Sequence, residues 1–362
     1  MIIDAHGHAF PPMGGPSGFR NAEDHMRYIQ HGMMFHHQPF RRIDDGSTYT
    51  GPNPLYDGKD LTLDGLTDVN FRGGGFGRFT WTVNETDYSI QYLPPTLTDL
   101  NAPPELMIAQ MDFIGVEKAV LHNGHSYGRL NEYLSDCVKR YPDRFKALAL
   151  IDEWKADDSN ELHTLDHAIH NLGLHALWFQ SGNLRLHNRE EAVDNPIFYP
   201  FWDHVRELGI PVFWFVTPSI PGKEPYLEEL RAFHRWNERY QDIPVMFTHG
   251  IPLFRFMDGD KVTIPDEVWK ILGAPNLLIE LLIPIFQGAV WEYPYVESQP
   301  IIKEDLERFG PDKLAWGSDM PNVERNCTYR QCLDYLKFYC DFISQADMDK
   351  ICGDNVAKLM KW

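Results

Sequence analysis

Near its start the chain carries two histidines one residue apart, in the run Asp4-Ala5-His6-Gly7-His8. Side chains i and i+2 of a strand point to the same side, so His6 and His8 can converge on one ion. Far along the chain, Leu314-Ala315-Trp316-Gly317-Ser318-Asp319-Met320-Pro321 reads as an apolar strand that delivers Asp319 at its tip. Two neutral imidazoles and a hard carboxylate suit zinc, manganese or iron. The plainer role open to Asp319 is capping of the next helix. A third run, Val245-Met246-Phe247-Thr248-His249-Gly250, presents His249 either as a ligand or as a general base near neutral pH. Further donors stand at other strand tips: His122 and His125 in His122-Asn123-Gly124-His125-Ser126-Tyr127-Gly128, and Glu280. These three are candidates for a shifted or second metal, and as loop residues the histidines have an equal claim to a structural role.

These residues need a scaffold that gathers strand tips from both ends of the chain. Eight short apolar runs alternate with longer helical patterns: Met1–Ala5, Lys118–His122, Lys146–Ile151, Ala176–Gln180, Pro211–Val216, Val245–Thr248, Leu277–Glu280 and Lys313–Gly317. Helices are expected between them, for example Arg129–Tyr141 before Pro142, and Asn195–Leu208 before Gly209. Such alternation belongs to the α/β class and closes most simply into a (β/α)8 TIM barrel. The eighth strand then neighbours the first, which puts Asp319 beside His6 and His8 at the C-terminal end where barrel enzymes work. An open doubly wound sheet would need a glycine-rich turn after its first strand, and Gly73, Gly74, Gly75 and Gly77 follow no such junction.

The chain reads as one domain over residues 1–362, with a long insertion after strand one from Phe10 to about Thr98. That stretch is rich in Gly, Pro, Asp and Asn and shows no sustained periodicity. Long excursions of this kind are usually functional, so a lid or partner surface is expected, with a subdomain that merely packs as the alternative. Its segment His31–Arg42 mixes His, Met, aromatic and Arg residues, and Arg41 or Arg42 can grip a substrate carboxylate with two parallel hydrogen bonds.

The bulk composition excludes several classes. A formal charge of −19 spread along the chain argues against tracking phosphate backbones. No apolar run reaches the roughly 18 to 20 residues that cross a bilayer, and no basic-then-apolar leader opens the chain, so a cytoplasmic location is expected. Five cysteines without a C-x-x-C pair point to reduced, buried thiols. His163, His167 and His170 share a helical face, but that helix belongs on the barrel's outside and reads as a solvated surface. Trp291-Glu292-Tyr293-Pro294-Tyr295 either walls the pocket or packs in the core or an interface.

In order and spacing the chain resembles the amidohydrolase superfamily, and within it the amidohydrolase-2 branch of aminocarboxymuconate semialdehyde decarboxylase and the resorcylate-type decarboxylases. Arg140-Tyr141-Pro142-Asp143-Arg144-Phe145, Thr248-His249-Gly250, Trp316-Gly317-Ser318-Asp319-Met320-Pro321 and Gly353-Asp354-Asn355-Val356-Ala357-Lys358-Leu359 carry the resemblance beyond the ligands. It implies His6, His8 and Asp319 as metal ligands and His249 as the acid/base residue. Such a branch also implies a histidine at the tip of strand five, where this sequence places Thr217, within Val212-Phe213-Trp214-Phe215-Val216-Thr217-Pro218. Gln180 stands where the binuclear hydrolases carry a bridging lysine, which disfavours that form of site. The expected activity is decarboxylation or hydrolysis of a small carboxylic acid by one divalent ion, with His249 and Asp319 as catalytic residues. Two alternatives stay open: a subunit of a non-haem di-metal oxygenase with an electron-donating partner, using His122 and His125, and a non-catalytic subunit that keeps a structural ion. Assembly into a homo-oligomer, or a hetero-oligomer with a related subunit, is expected.

Overall fold

A computed structural model describes residues 1–216, 222–259 and 261–362. Eight parallel strands run in chain order around a nearly closed barrel. They are β1 (Ile3–Gly7), β2 (Lys118–Leu121), β3 (Phe145–Ala149), β4 (Ala176–Gln180), β5 (Val212–Phe215), β6 (Val245–Phe247), β7 (Leu277–Leu281) and β8 (Leu314–Trp316). All eight expected runs are strands, with ends shifted by up to two residues. The seam between β8 and β1 is closed by a bridge from Gly7 to Met320 and by the His8 N–H donating to Met320 O at 2.8 Å.

Parallel strands covered on both faces are largely apolar, and these are, apart from polar residues at strand ends and at the site. Ile3, Ala5, Val120, Leu148, Trp178, Phe213, Met246 and Ala315 fill the barrel interior, while the alternate positions pack outward against the helices. Trp214 on β5 is fully buried, its ring centroid 5.4 Å from that of Trp202 and 4.4 Å from that of Trp236. Truncating a buried aromatic of this kind costs about 3–5 kcal/mol.

The expected helix Arg129–Tyr141 forms over Asn131–Arg140. Its neighbour starts as a 3-10 turn, Pro196–Phe198, because the Asn195 side chain accepts the Ile197 N–H; the α-helix proper is Tyr199–Leu208, ended by left-handed Gly209. The helix bearing His163 and His167 widens into a π turn at His167–Asn171, and His167 and His170 face solvent. All five cysteines are buried and free. Among the described residues no helix is long and apolar enough to cross a membrane.

The insertion has more regular structure than its sequence suggests. It holds a helix, Ala22–Met33, and a four-stranded antiparallel sheet of Arg41–Arg42, Arg72–Gly75, Arg78–Val83 and Thr86–Gln91. Phe40, Phe71, Phe79 and Trp81 stack against one another there. Its two ends meet where Phe10 and Ala102 exchange backbone hydrogen bonds of 2.8 and 3.0 Å. Strands of two to six residues, one of them glycine-rich, leave no periodicity to read, so aromatic packing organises the segment.

Candidate metal centre

The first two histidines reach the barrel mouth by a different route from simple alternation. The register of β1 against β2 shifts between Asp4 and Gly7, which interrupts the alternation that puts Ile3 and Ala5 inside. Irregularities of this sort re-aim side chains beside active sites. The Asp4 carboxylate holds the irregularity in place. It accepts the His6 and Ser318 N–H groups at 3.0 Å each, the Ser318 hydroxyl at 2.5 Å and the Tyr329 hydroxyl at 2.8 Å. Burial pushes Asp4 up to about 7 against those hydrogen bonds, so this clamp on β1 and β8 sits near its own titration.

Three ligand atoms converge at the seam. His6 Nε2 lies 3.1 Å from His8 Nε2, His8 Nε2 lies 2.8 Å from Asp319 Oδ1, and His6 Nε2 lies 3.8 Å from Asp319 Oδ1. Two ligands about 2.1 Å from one tetrahedral ion stand about 3.4 Å apart, so these separations bracket a shared ion. The His6 tautomer agrees, because Nδ1–H donates to Glu280 at 3.1 Å and leaves the Nε2 lone pair facing the other two donors. His6, His8 and Asp319 form the one group of three or more such donors, among the described residues, with ligand atoms all within 4.8 Å of one another. The donor set therefore fits a divalent ion, and His6 Nε2, His8 Nε2 and Asp319 Oδ1 are the atoms that would hold it.

The surroundings orient those ligands. Asp319 adopts a left-handed backbone with its N–H donating to His6 O at 2.8 Å, and the Asn322 amide donates to its Oδ1 at 2.8 Å. Burial alone would raise the Asp319 carboxyl; the hydrogen bond from His8 and the imidazoles of His6, His8 and His249 outweigh it and hold the group well below the usual range. Burial lowers His6 to about 3 and His249 to about 3, so both imidazoles are neutral. Glu280 is completely buried and raised by that burial to about 7. It is accommodated because Gly317 has no side chain: a Cβ there would lie 2.1 Å from Glu280 Oε1.

Several expected site residues take other places. Glu280 stands outside the converging group: it accepts His6 Nδ1–H, and its Oε2 accepts the His249 N–H at 2.5 Å. His122 lies flat against His6, ring centroids 3.6 Å apart, with Nε2–H donating to Ala5 O at 2.8 Å. His125 is drawn off to Glu153, Nε2 to Oε2 at 2.9 Å. Neither histidine joins the converging group. Arg41 and Arg42 sit on the insertion's sheet, where Arg41 donates to Gly46 O at 3.2 Å and Arg42 pairs with Asp44 at 2.6 Å. Neither lines the cavity; Arg255 and Arg325 do. Thr217 lies outside the described residues. The β5 side chain at the mouth is Phe215, its ring centroid 4.1 Å from that of His249.

Above the ligands opens a cavity of about 370 Å³. Trp178, Phe215, Phe254 and Phe286 come from the barrel side, and His31, Met33, His36, His37 and Tyr92 come from the insertion. His249 stands in this wall with its Nδ1 buried and unpaired, between Phe215 and Phe286. Phe215, Arg255, Arg325 and Asn322 were not singled out by sequence reasoning, and only Asn322 carried a signal, its place three residues after Asp319.

A family model described as amidohydrolase, of the amidohydrolase-2 type, matches residues 3–362. The chain belongs to this amidohydrolase family. Among solved structures, this amidohydrolase is similar to a probable 2-pyrone-4,6-dicarboxylic acid hydrolase of Acinetobacter baumannii with citric acid bound (TM-score 0.58, 17% identity, covering 100% of this chain and 99% of the other). It is also similar to 5-carboxyvanillate decarboxylase of Sphingomonas paucimobilis (TM-score 0.53, 16% identity, 74% and 86% covered). A dihydroxybenzoic acid decarboxylase of a Polaromonas species, with bound manganese and the inhibitor 2-nitroresorcinol, matches with TM-score 0.51 and 16% identity over 72% and 87% of the two chains. At these identities the likeness is one of fold. No curated protein sequence matches this amidohydrolase.

Proposed function

We propose that this amidohydrolase is a divalent-metal enzyme that decarboxylates a small aromatic or unsaturated carboxylic acid, with hydrolysis of a related acid as the second reading. The convergence of His6 Nε2, His8 Nε2 and Asp319 Oδ1 beneath an aromatic-walled cavity carries the proposal. The charges lining that cavity are Asp319 against Arg255 and Arg325, and burial keeps His6, His31, His36, His37 and His249 neutral. With a divalent ion added, the site is strongly positive and suited to an anion.

Bound at the three ligands, a zinc or manganese ion would polarise a carboxylate or carbonyl oxygen, or bring the pKa of its water to about 7. The chain's own residues do the rest. Aromatic walls exclude water and hold a flat acid against the ligand side. His249 moves the proton: neutral in the free protein, it accepts one from water in hydrolysis, while an arriving substrate anion favours its protonated form, as donation to the carbon that loses CO2 requires. Glu280 fixes both the His6 ring and the His249 backbone, so metal side and proton side share one support. No observation favours the oxygenase alternative, for which His122 and His125 would have to turn towards the ion.

The test is incubation of zinc- or manganese-loaded protein with 2,6-dihydroxybenzoate and 5-carboxyvanillate, following CO2 release and the decarboxylated phenol. Turnover by the wild type, and its loss in His249→Asn with metal content unchanged, is expected. Full activity in His249→Asn would overturn the role of His249, and a wild type without bound metal would overturn the reading itself.

A further inference from the structure

One cationic group in the cavity wall feels the charge of Asp319 but pairs directly with no carboxylate among the described residues. Arg325, in the loop after β8, lines the cavity and makes no ion pair among the described residues. Its Nη1 is fully used by the insertion, donating to the Tyr92 carbonyl and, at 3.1 Å, to His36 Nε2. The Nε–H is buried and unpaired, and Nη2 has no hydrogen bond among the described residues. Nε and Nη2 form one edge of the guanidinium, the edge whose parallel N–H groups match the two oxygens of a carboxylate. A buried, unpaired guanidinium N–H is costly to keep unless something occupies it for part of the working cycle. The neighbouring histidines add no second positive charge, since burial and the Arg325 charge hold His36 well below its ordinary range and His37 at about 4.

We propose that Arg325 is the residue that recognises a carboxylate of the substrate, through its Nε/Nη2 edge, and that the insertion supplies the anchor which aims it. The proposal deepens the functional reading above and rests on it for the metal side of the cavity. Trp178, Phe215, Phe254 and Phe286 give the rest of the ligand's character, a flat unsaturated or aromatic body. The substrate class is thus an aromatic carboxylate whose acid group is shared between the ion's side and the β8 loop. Tyr92 O and His36 Nε2 hold Arg325 from the insertion, so ligand binding and closure of the cavity depend on the same side chain.

Calorimetric titration of the metal-loaded protein with benzoate and with its neutral analogue benzamide tests this. The wild type is expected to bind benzoate at least tenfold more tightly than benzamide. Arg325→Gln should lose roughly 10- to 100-fold for benzoate while benzamide affinity and metal content stay unchanged, and Arg325→Lys should recover part of the loss. Chelator-treated protein separates the two claims, because any Arg325 contribution survives removal of the ion. Benzoate affinity unchanged in Arg325→Gln, equal losses for both ligands, or a wild type that binds neither would each overturn the assignment of Arg325. Absence of metal from the wild type, with benzoate preference still dependent on Arg325, would overturn the functional reading and leave this assignment standing.

Discussion

At the β1–β8 seam, His6, His8 and Asp319 point three ligand atoms at one another, while across the same barrel mouth His125, Glu153 and Asn183 form a second buried cluster of similar composition. In that second cluster the Glu153 carboxylate accepts His125 Nε2–H at 2.9 Å, the Asn183 amide at 3.0 Å and the Gln180 N–H at 3.2 Å. Both of its oxygens are engaged by protein donors. At the seam, Glu280 accepts the outer N–H of His6, and the inner lone pair is left facing other acceptors. Both clusters are buried and each sets histidine against a carboxylate. The difference lies in which lone pairs the surrounding hydrogen bonds consume, and on the proposed function that difference is what sets the seam apart as the cation site.

The sharpest contrast comes from truncation. Asp319→Ala or His6→Ala should lower metal affinity by more than the roughly 10- to 100-fold typical of losing a supporting residue, and abolish turnover. His125→Ala should leave metal content as in the wild type, as elemental analysis of the purified variants would reveal. A metal loss in His125→Ala comparable with that in Asp319→Ala would erase the distinction between the clusters.

Glu280→Gln probes the border between them. The amide can still accept from His6 but no longer carries the charge that raises the ring's basicity, so metal affinity is expected to fall by about 10- to 100-fold with the fold intact. Competition titration against a coloured chelator measures this, and an unchanged affinity would make Glu280 a packing residue only.

The second cluster should reveal itself in stability instead. Removing His125 takes one of three donors from a buried carboxylate, a change worth about 1–3 kcal/mol in chemical denaturation. No change in stability would mean that water replaces the ring freely.

How much of this was legible in sequence follows the same division. The eight strands could be read because buried parallel strands are continuous apolar runs, and His6, His8, Asp319 and His249 because each ends such a run. Glu280 and His122 share those tips, yet their roles depend on rings and carbonyls from other strands, which no local pattern records. The insertion's sheet is built on Phe71, Phe79 and Trp81 contacts between strands too short to show a period. Arg325 was hidden for another reason: its partners, His36 and Tyr92, lie more than two hundred residues away and belong to the insertion.

Acid should act most weakly and least selectively. Burial lowers His37 and His175 to about 4 and His187 to about 3, from 6.5 in the unfolded chain. Below pH 6.5 the unfolded chain binds protons that the folded chain refuses, so this contribution to stability is complete above 6.5 and is lost progressively towards pH 3–4. Asp4 and Glu229, raised to about 7 by burial, work in the opposite sense: their contribution is complete below the ordinary carboxylate range and is lost as pH rises through about 7. Thermal denaturation of chelator-treated protein should therefore show a maximum between these limits, and His187→Gln should make the acid side shallower. An acid side as steep as the wild type's would remove His187 from the account.

The most direct test of the central claim is the metal stoichiometry of wild type and Asp319→Ala, purified side by side and measured by element-resolved mass spectrometry. One divalent ion per chain in the wild type and almost none in Asp319→Ala is the predicted result. Equal metal in both would contradict the assignment of the β1–β8 seam as the site that holds the ion.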